Sequence, residues 1–218
     1  MLDNAQLDNA QLDIAQLDNG QLKGKLRKRL RSARKSLAAA EHASRSRLAA
    51  ASIARLAAFR SGARIALYLP FDGEADPSAL IAAARRRRIA VYVPVVASVR
   101  HRRLSFRPLT VKTRRGAYGI SIPHGAPFRN AVGSRWFDLV VVPLVGVDRR
   151  GRRLGMGGGY YDRALEWRRH RRHWSGPRLV GLAFDCQRID SVDARAHDVR
   201  LDALATESGI EIFSRSES

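Results

Sequence analysis

The sequence has one cysteine and no long apolar run. Cys186 has no second thiol in the chain with which to pair, so an internal disulfide is excluded, in keeping with a reducing compartment. No stretch is apolar over the roughly 18 residues that a bilayer-spanning helix needs. The first residues are polar and acidic and lack the basic region that opens a secretory signal. The sequence therefore predicts a cytoplasmic protein that does not cross a membrane.

Lysine and acidic residues are scarce relative to arginine. Of 40 basic residues only five are lysine, and 20 acidic residues leave a formal net charge of +20. A surface of this kind can attract nucleic acid or another polyanion. No nucleic-acid-binding motif accompanies the basic runs at 85–88, 100–103 and 168–172. We therefore interpret the basic runs as solvated helix faces on which arginine replaces lysine, and we do not predict a nucleic-acid partner. The positive charge also suits a small polyanionic substrate.

The N-terminus consists of a short repeat. Residues 2–21 read LDNAQ LDNAQ LDIAQ LDNGQ, a unit of five residues with one leucine in each. Four such units are too few to bury a core by stacking as a solenoid does. We predict that residues 1–21 form a disordered or helical extension, with a partner-binding module as the alternative. Residues 22–218 are of the right length for a single domain.

The pattern of apolar residues predicts an α/β fold. Residues 22–60 have helical spacing without proline, which predicts two helices that break near residues 39–43. A strand, a helix that begins near Asp76 and a second strand then follow, a succession typical of parallel strands joined by a crossover. The predicted strands are 64–69, 89–93, 104–107, 138–143 and 179–184, and a further helix is predicted at 160–171. The sum is a three-layer α/β/α domain with a mostly parallel sheet and a helical N-terminal region.

One stretch, RRLGMGGGYYDR at residues 152–163, is unusually rich in glycine. Glycine lets the backbone approach a phosphate closely, and successive backbone N–H groups can surround an anion. Arginines before the stretch can neutralise phosphate charge, and the carboxylate of Asp162 after it suits a divalent cation. Neither the lysine of a P-loop nor the third glycine of a dinucleotide fingerprint is present. From these residues alone, a glycine-rich turn capped by Asp162 remains an open alternative.

A longer string is more specific than its glycines. Residues 138–163, DLVVVPLVGVDRRGRRLGMGGGYYDR, resemble the signature of 5-formyltetrahydrofolate cyclo-ligases, also called methenyltetrahydrofolate synthetases. Further matches in the same order are KGKLR at 23–27, LYLPFDGE at 67–74, GISIP at 119–123, LAF at 182–184 and AHDVRLD at 196–202. The resemblance covers nearly all of residues 22–215 and leaves the repeats out.

The resemblance implies a reaction. Enzymes of this family use ATP and Mg²⁺ to convert 5-formyltetrahydrofolate, which can carry a polyglutamate tail, to 5,10-methenyltetrahydrofolate with release of ADP and phosphate. The formyl oxygen attacks the γ-phosphate, N10 then attacks the activated carbon, and phosphate leaves. Such a transfer depends on positioning and charge neutralisation rather than on a protein nucleophile. We further expect a monomer.

The resemblance also assigns site residues. It implies that ATP is bound by two segments, one consisting of Lys23, Gly24, Lys25, Leu26 and Arg27, the other of Arg153, Leu154, Gly155, Met156, Gly157, Gly158, Gly159, Tyr160 and Tyr161. It implies substrate contacts from Leu69, Glu74, Met156, Gly157, Gly158, Gly159 and Tyr160. It implies Mg²⁺ ligation by Asp162 and Asp198. Arg153 and Tyr161 are the implied catalytic residues, with Arg153 neutralising charge that develops during transfer.

Several of these residues have a simpler interpretation. Residues 23–27 could be an exposed basic helix face, Glu74 a solvated turn residue and Asp198 an ordinary loop acid. The sequence departs from the family at residues 38–40, where alanines stand in place of a frequent serine helix cap. The rival function from another class is a non-catalytic, basic protein that binds a polyanion.

Overall fold

A computed structural model of the chain describes residues 19–109, 113–115, 121–123, 131–170, 176–192 and 198–214. Its helices are α1 (Asn19–Lys35), α2 (Ala39–Ile53), α3 (Ser78–Arg86) and α4 (Tyr160–Leu165). Short 3-10 helices lie at Ser134–Trp136, Glu166–His170 and Asp185–Gln187. No helix in this part of the chain has the length and apolar character needed to span a bilayer.

Within the described residues, the central sheet consists of seven strands: β1 Arg64–Ala66, β2 Ala90–Ser98, β3 Arg103–Pro108, β6 Leu139–Val142, β9 Arg178–Leu182, β11 Ala203–Thr206 and β12 Gly209–Ile212. Their order across the sheet is β12-β11-β9-β6-β1-β2-β3. The five inner strands are parallel, and β3 and β12 at the two edges are antiparallel to their neighbours. The predicted crossover between parallel strands is present, with α3 between β1 and β2.

The other strands of the described residues form two smaller sheets. One joins β10 (Arg188–Ile189), β7 (Gly146–Asp148) and β8 (Arg153–Leu154), and the other pairs β4 (Thr113–Arg115) with β5 (Ser121–Pro123). The first of them leads the chain directly into the glycine stretch.

The core lies on both faces of the central sheet. Successive residues of β6 alternate between two apolar clusters, with Leu139 and Val141 on the side of α2 and α3 and Val140 and Val142 on the side of α4. A strand buried on both faces must be apolar at every position, which is why this run was recognisable in the sequence. The predicted α/β fold class is confirmed.

Several boundaries differ from the predictions. Strand β1 ends at Ala66 instead of residue 69, β9 ends at Leu182 instead of residue 184, and α2 ends at Ile53 instead of near residue 60. The break between the first two helices lies at residues 36–38, earlier than the predicted 39–43. Helix α2 begins after Ala38, whose side chain makes no cap hydrogen bond, so no capping residue marks this start in the sequence. Strand β2 continues through Pro94, which pairs with β3. The pairing of β2 with β1 on its other side has already ended at Tyr92. The missing N–H of a proline is tolerated where a strand has a neighbour on one side only. The helix predicted at 160–171 is α-helical only to Leu165 and continues as a 3-10 helix.

The repeats fall almost wholly outside the described residues. Helix α1 begins at Asn19, inside the fourth repeat. The division into an extension at 1–21 and a single domain at 22–218 stays a prediction.

Candidate functional site

A tight hairpin presents the glycine stretch, residues 155–159. The buried carboxylate of Asp148 accepts hydrogen bonds from the N–H groups of Arg150 and Arg152, each at 2.9 Å, and closes the turn between β7 and β8. The chain leaves β8 through the stretch, where Gly157 and Gly159 have φ values of +97° and +66°. Residues with a side chain rarely adopt such φ values, so the backbone conformation favours glycine at these two positions.

An ion pair joins two residues that flank the glycine stretch on either side. Arg153, whose side chain is buried, donates to Oδ1 of Asp162, and the N–H of Val199 lies 3.4 Å from the same oxygen. Because Val199 follows Asp198 in the chain, the two carboxylates predicted to bind Mg²⁺ come from neighbouring segments. Within the described residues, Oδ2 of Asp162 has no hydrogen-bond partner, and no group of three or more histidine, cysteine or acidic side chains forms a metal cage.

The side chain of Arg27 connects helix α1 to the glycine stretch. Nε of Arg27 donates to the carbonyl oxygen of Gly155 at 2.8 Å, and its guanidinium carbon lies 3.7 Å from where a Cβ on Gly157 would stand. The structure thus brings Arg27 to the stretch from 128 residues away in sequence.

The other residues of the 23–27 segment occupy different surroundings. Leu26 packs on an apolar cluster that includes Leu154, and Gly24 is exposed with nothing within 4 Å of its Cβ position. Lys25 lines a shallow groove on the outer surface of α1 and lies about 200° around the helix from Arg27. Lys23 is half-buried.

The Glu74 turn, residues 71–74, forms the second part of the site. Glu74 is half-buried, and its Oε2 accepts a hydrogen bond from the N–H of Phe71 at 3.1 Å. Burial raises the pKa of Glu74 from 4.5 to about 7; the charge of Arg34 and the Phe71 N–H oppose this rise, and the charge of Asp72 adds to it. This carboxyl therefore changes protonation near neutral pH.

Glu74 also acts on the two tyrosines around it. Burial raises the pKa of Tyr161, the charge of Glu74 raises it further, and Arg153 opposes the rise. Burial and then Glu74 raise the pKa of Tyr68 as well, and the Tyr68 hydroxyl donates to the carbonyl oxygen of Ala75 at 2.6 Å. Glu74 and Arg153 therefore both influence the pKa of Tyr161, in opposite directions.

Three basic residues of α1 hold the Glu74 turn in place. Arg31, Arg34 and Lys35 all form ion pairs with Asp72. Burial alone would raise the pKa of Asp72, but hydrogen bonds and charges from Arg31 and Lys35 lower it to about 2. Arg34 is completely buried and also donates to the carbonyl oxygens of Asp72 at 2.8 Å and Leu144 at 3.3 Å. One helix therefore contacts both the Glu74 turn and the glycine stretch.

Sequence reasoning missed this network, although a signal for it exists. Residues 27, 31, 34 and 35 are all basic, and their spacing places them on one side of a helix. A basic stripe of that kind on a helix predicts acceptors elsewhere in the chain, but it does not say where they lie.

The remaining predicted residues surround these two segments. Leu69 is half-buried against the apolar cluster on the side of α2 and α3. The ring of Tyr160 lies 2.8 Å from where a Cβ on Gly158 would stand, so a side chain at Gly158 would displace this ring. Met156 and Phe71 are both exposed apolar side chains, 46% and 40% accessible, on the glycine stretch and the Glu74 turn respectively.

The chain is similar to proteins of one known enzyme family. A model of the 5-formyltetrahydrofolate cyclo-ligase family matches residues 19–207. The 5-formyltetrahydrofolate cyclo-ligase of Haemophilus influenzae is 35% identical over 146 residues, which are 65% of this chain and 74% of the relative. The enzyme of the same name from Escherichia coli K12 is 32% identical over 148 residues, 67% of this chain and 79% of the relative.

A solved structure agrees with these relatives. The NMR structure of the Aquifex aeolicus 5,10-methenyltetrahydrofolate synthetase aligns with a TM-score of 0.74 and 28% identity, over 90% of this chain and 95% of that one. The predicted family, the predicted enzyme class and the predicted fold are thereby confirmed. The chain belongs to the 5-formyltetrahydrofolate cyclo-ligase family of enzymes.

Proposed function

We propose that this chain catalyses the cyclisation of 5-formyltetrahydrofolate to 5,10-methenyltetrahydrofolate with ATP and Mg²⁺, at a site formed by the glycine stretch and the Glu74 turn. One observation carries the proposal. The predicted substrate contact Glu74 and the predicted catalytic residue Arg153 both influence the pKa of the other predicted catalytic residue, Tyr161, which supports one site that contains all three. A substrate at Glu74 is therefore beside the residues that act on the transferred phosphoryl group.

The glycine stretch binds the ATP phosphates in this proposal. Positive φ values at Gly157 and Gly159 turn the backbone sharply, and the absence of side chains lets N–H groups approach an anion. Arg27, already fixed on the carbonyl oxygen of Gly155, adds a positive charge on one side. Contacts from backbone N–H groups and an arginine suit a phosphate chain better than they suit a flat heterocycle.

Asp162 and Asp198 are the residues that would hold Mg²⁺. Mg²⁺ is commonly bound by one or two carboxylates together with substrate phosphates and water, so a site without a full protein cage fits it. Oδ2 of Asp162 is available for this role because Arg153 and Val199 both contact Oδ1. The metal would neutralise charge on the transferred phosphoryl group.

Arg153 and Tyr161 serve the transfer in different ways. The carboxylate of Asp162 fixes the orientation of the Arg153 guanidinium, which is thereby preorganised to stabilise negative charge as it develops. The hydroxyl of Tyr161 is protonated at neutral pH, as a tyrosine hydroxyl ordinarily is, and burial raises its pKa further. In this proposal the side chain donates a hydrogen bond to the substrate or packs against it. No protein nucleophile is required, since the formyl oxygen of the substrate attacks the phosphorus.

The Glu74 turn orients the folate. Ionised Glu74 accepts hydrogen bonds from N–H groups of the reduced pterin, and the exposed apolar surfaces of Met156 and Phe71 are suited to pack against its ring. Leu69 and Tyr160 are further substrate contacts in this proposal. The enzyme acts as a cytoplasmic monomer on a small-molecule substrate, which can carry a polyglutamate tail.

The test is absorbance at the methenyl-folate band, with purified protein, 5-formyltetrahydrofolate, ATP and Mg²⁺. We expect the band to grow only when ATP is present. Asp162→Ala is expected to lower the rate at least about 100-fold, as loss of a preorganised charge contact at a reacting centre does. Asp162→Asn, which keeps an acceptor for the buried Arg153, separates loss of charge from loss of folding.

Asp190→Ala is the matched control, because Asp190 is exposed and paired with Arg149 at 3.4 Å, outside the site. It should retain the wild-type rate. No growth of the band from folded wild-type protein would contradict the proposal. Polyanion binding that weakens steeply with salt, without turnover, would support the rival non-catalytic function instead.

A further inference from the structure

The loop between β2 and β3 lies against the glycine stretch, although no motif marks it. Ser98 pairs with Arg103 across the base of this hairpin, and the N–H of Arg102 donates to the carbonyl oxygen of Val99 at 3.1 Å. Nη1 of Arg163, on α4, donates to the carbonyl oxygen of His101 at 3.0 Å. The hairpin tip is thus attached to the helix that follows the glycine stretch.

Arg102 points its guanidinium at that stretch. Its Nη1 lies 3.9 Å from where a Cβ on Gly159 would stand. The residue is exposed, and its backbone φ is +48°. Residues other than glycine, asparagine and aspartate rarely adopt such a value. Within the described residues, the Arg102 guanidinium makes no hydrogen bond and no ion pair.

The other positive charges at the stretch are already engaged. The sequence has no basic residue between Arg153 and Arg163. Arg153 is buried and paired with Asp162, while Nε of Arg27 is bonded to the carbonyl oxygen of Gly155. Arg102 therefore brings a guanidinium with no protein acceptor in the described structure to a backbone turn that is suited to an anion.

We propose that Arg102 is an additional anion-binding residue of this site and that its guanidinium binds an anionic group of a ligand lying over residues 157–159. The inference rests on the proposed function, because it concerns the same site. The planar fork of an arginine matches both phosphate and carboxylate. The anion is therefore either a phosphate group of ATP or a carboxylate of the glutamate tail of the folate.

The experiment compares Arg102→Asn, Arg102→Lys and Arg100→Asn. Asparagine tolerates the positive φ of residue 102, so the first variant removes the charge without straining the turn. Lysine keeps the charge and loses the fork. Arg100 is exposed in the same loop and is the matched control for the general positive field of the hairpin. The measurements are kcat, the KM for ATP, and the KM for mono- and polyglutamyl 5-formyltetrahydrofolate, each at low and high salt.

We expect Arg102→Asn to raise the KM for ATP about tenfold with kcat changed less than about twofold, as loss of one charge-assisted contact predicts. The rise should shrink at high salt, Arg102→Lys should restore part of the affinity, and Arg100→Asn should behave as the wild type. An increase confined to the KM for the polyglutamyl substrate would identify the tail as the source of the anion and would also support the proposal.

Failure of this inference is distinguishable from failure of the proposed function. If Arg102→Asn matches Arg100→Asn for both ligands while the wild type turns over, the role of Arg102 is overturned and the enzyme assignment stands. If the wild type shows no turnover, the proposed function fails, and calorimetric titration with ATP and Mg²⁺ tests Arg102 separately. Equal affinities of wild type and Arg102→Asn, or no binding by either, would overturn the inference.

Discussion

The two parts of the site are built in opposite ways. The Glu74 turn is fixed by side chains, since Asp72 alone receives three basic residues from α1 and Arg34 is completely buried beneath it. The glycine stretch is almost entirely backbone, and one guanidinium, that of Arg27, bonds to a carbonyl oxygen within it. The side chains of α1 hold the first part in place, whereas the second part consists mainly of glycine backbone.

The difference suits two kinds of ligand. Recognition of a heterocycle by a single carboxylate requires that carboxylate to be oriented in advance, because each misplaced hydrogen bond leaves a polar group unpaired. Phosphate oxygens accept hydrogen bonds from several directions and need close approach more than a fixed side chain. We therefore expect changes around Glu74 to alter folding and folate affinity, and changes in the glycine stretch to alter ATP affinity.

Replacing Arg34 by methionine should have the largest effect on stability. The substitution leaves the carbonyl oxygens of Asp72 and Leu144 without their buried donor, and losses of this kind cost about 2–4 kcal/mol. Arg29→Met, at an exposed position of the same helix, should stay within about 0.5 kcal/mol. Urea unfolding of both variants measures the difference. Equal losses would show that burial of Arg34 does not hold the turn.

A substitution at Gly157 tests the other part of the site. Alanine at φ +97° costs about 1–3 kcal/mol and places a methyl group against Arg27. Gly62→Ala is the matched control, because Gly62 has a φ of +77° with nothing within 4 Å of its Cβ position. Both variants should lose similar stability, but only Gly157→Ala should raise the KM for ATP, by about tenfold or more. A similar rise in both would contradict a local role of the stretch.

The sequence predicts those features of the structure that depend on residues close together in the chain. It does not predict those that depend on contacts between distant segments. Strand β6 was recognisable because its apolar run is local and both of its faces are buried. The end of α1 was misplaced because Ala38, at the start of α2, lacks the side-chain cap that marks a helix N-terminus. Pro94 suggested the end of β2, because the sequence does not reveal that the pairing of β2 with β1 ends before this proline.

The site shows the same limit. Arg27, Glu74, Arg153 and Asp162 could be named because they lie in strings that resemble a known family. The pairing of Asp72 with α1 was missed, since it joins residues about 40 positions apart and has no motif. Arg102 was missed for the same reason, because its approach to Gly159 follows from the packing of a hairpin on α4. Contacts between segments that are distant in sequence leave no local pattern.

The protonation of Glu74 gives the most direct test of the fixed turn. Because burial raises the pKa of Glu74 from 4.5 to about 7, the folded state binds a proton that the unfolded state releases over this pH range. The free energy of unfolding should therefore fall as pH rises from about 4.5 to 7, by about 1–3 kcal/mol. Glu74→Gln should remove that fall, as measured by urea unfolding at pH 5 and pH 7.5.

Substrate affinity should change in the opposite direction. Ionised Glu74 accepts hydrogen bonds from the pterin, so the KM of the wild type for 5-formyltetrahydrofolate should decrease as pH rises through 7. Glu74→Gln should show a higher KM with little of this dependence, whereas Glu41→Gln, at an exposed carboxylate paired with Arg45, should keep it. If Glu74→Gln and wild type have the same pH dependence of both stability and KM, then Glu74 is not the titrating group and the turn does not prepare a carboxylate for the folate.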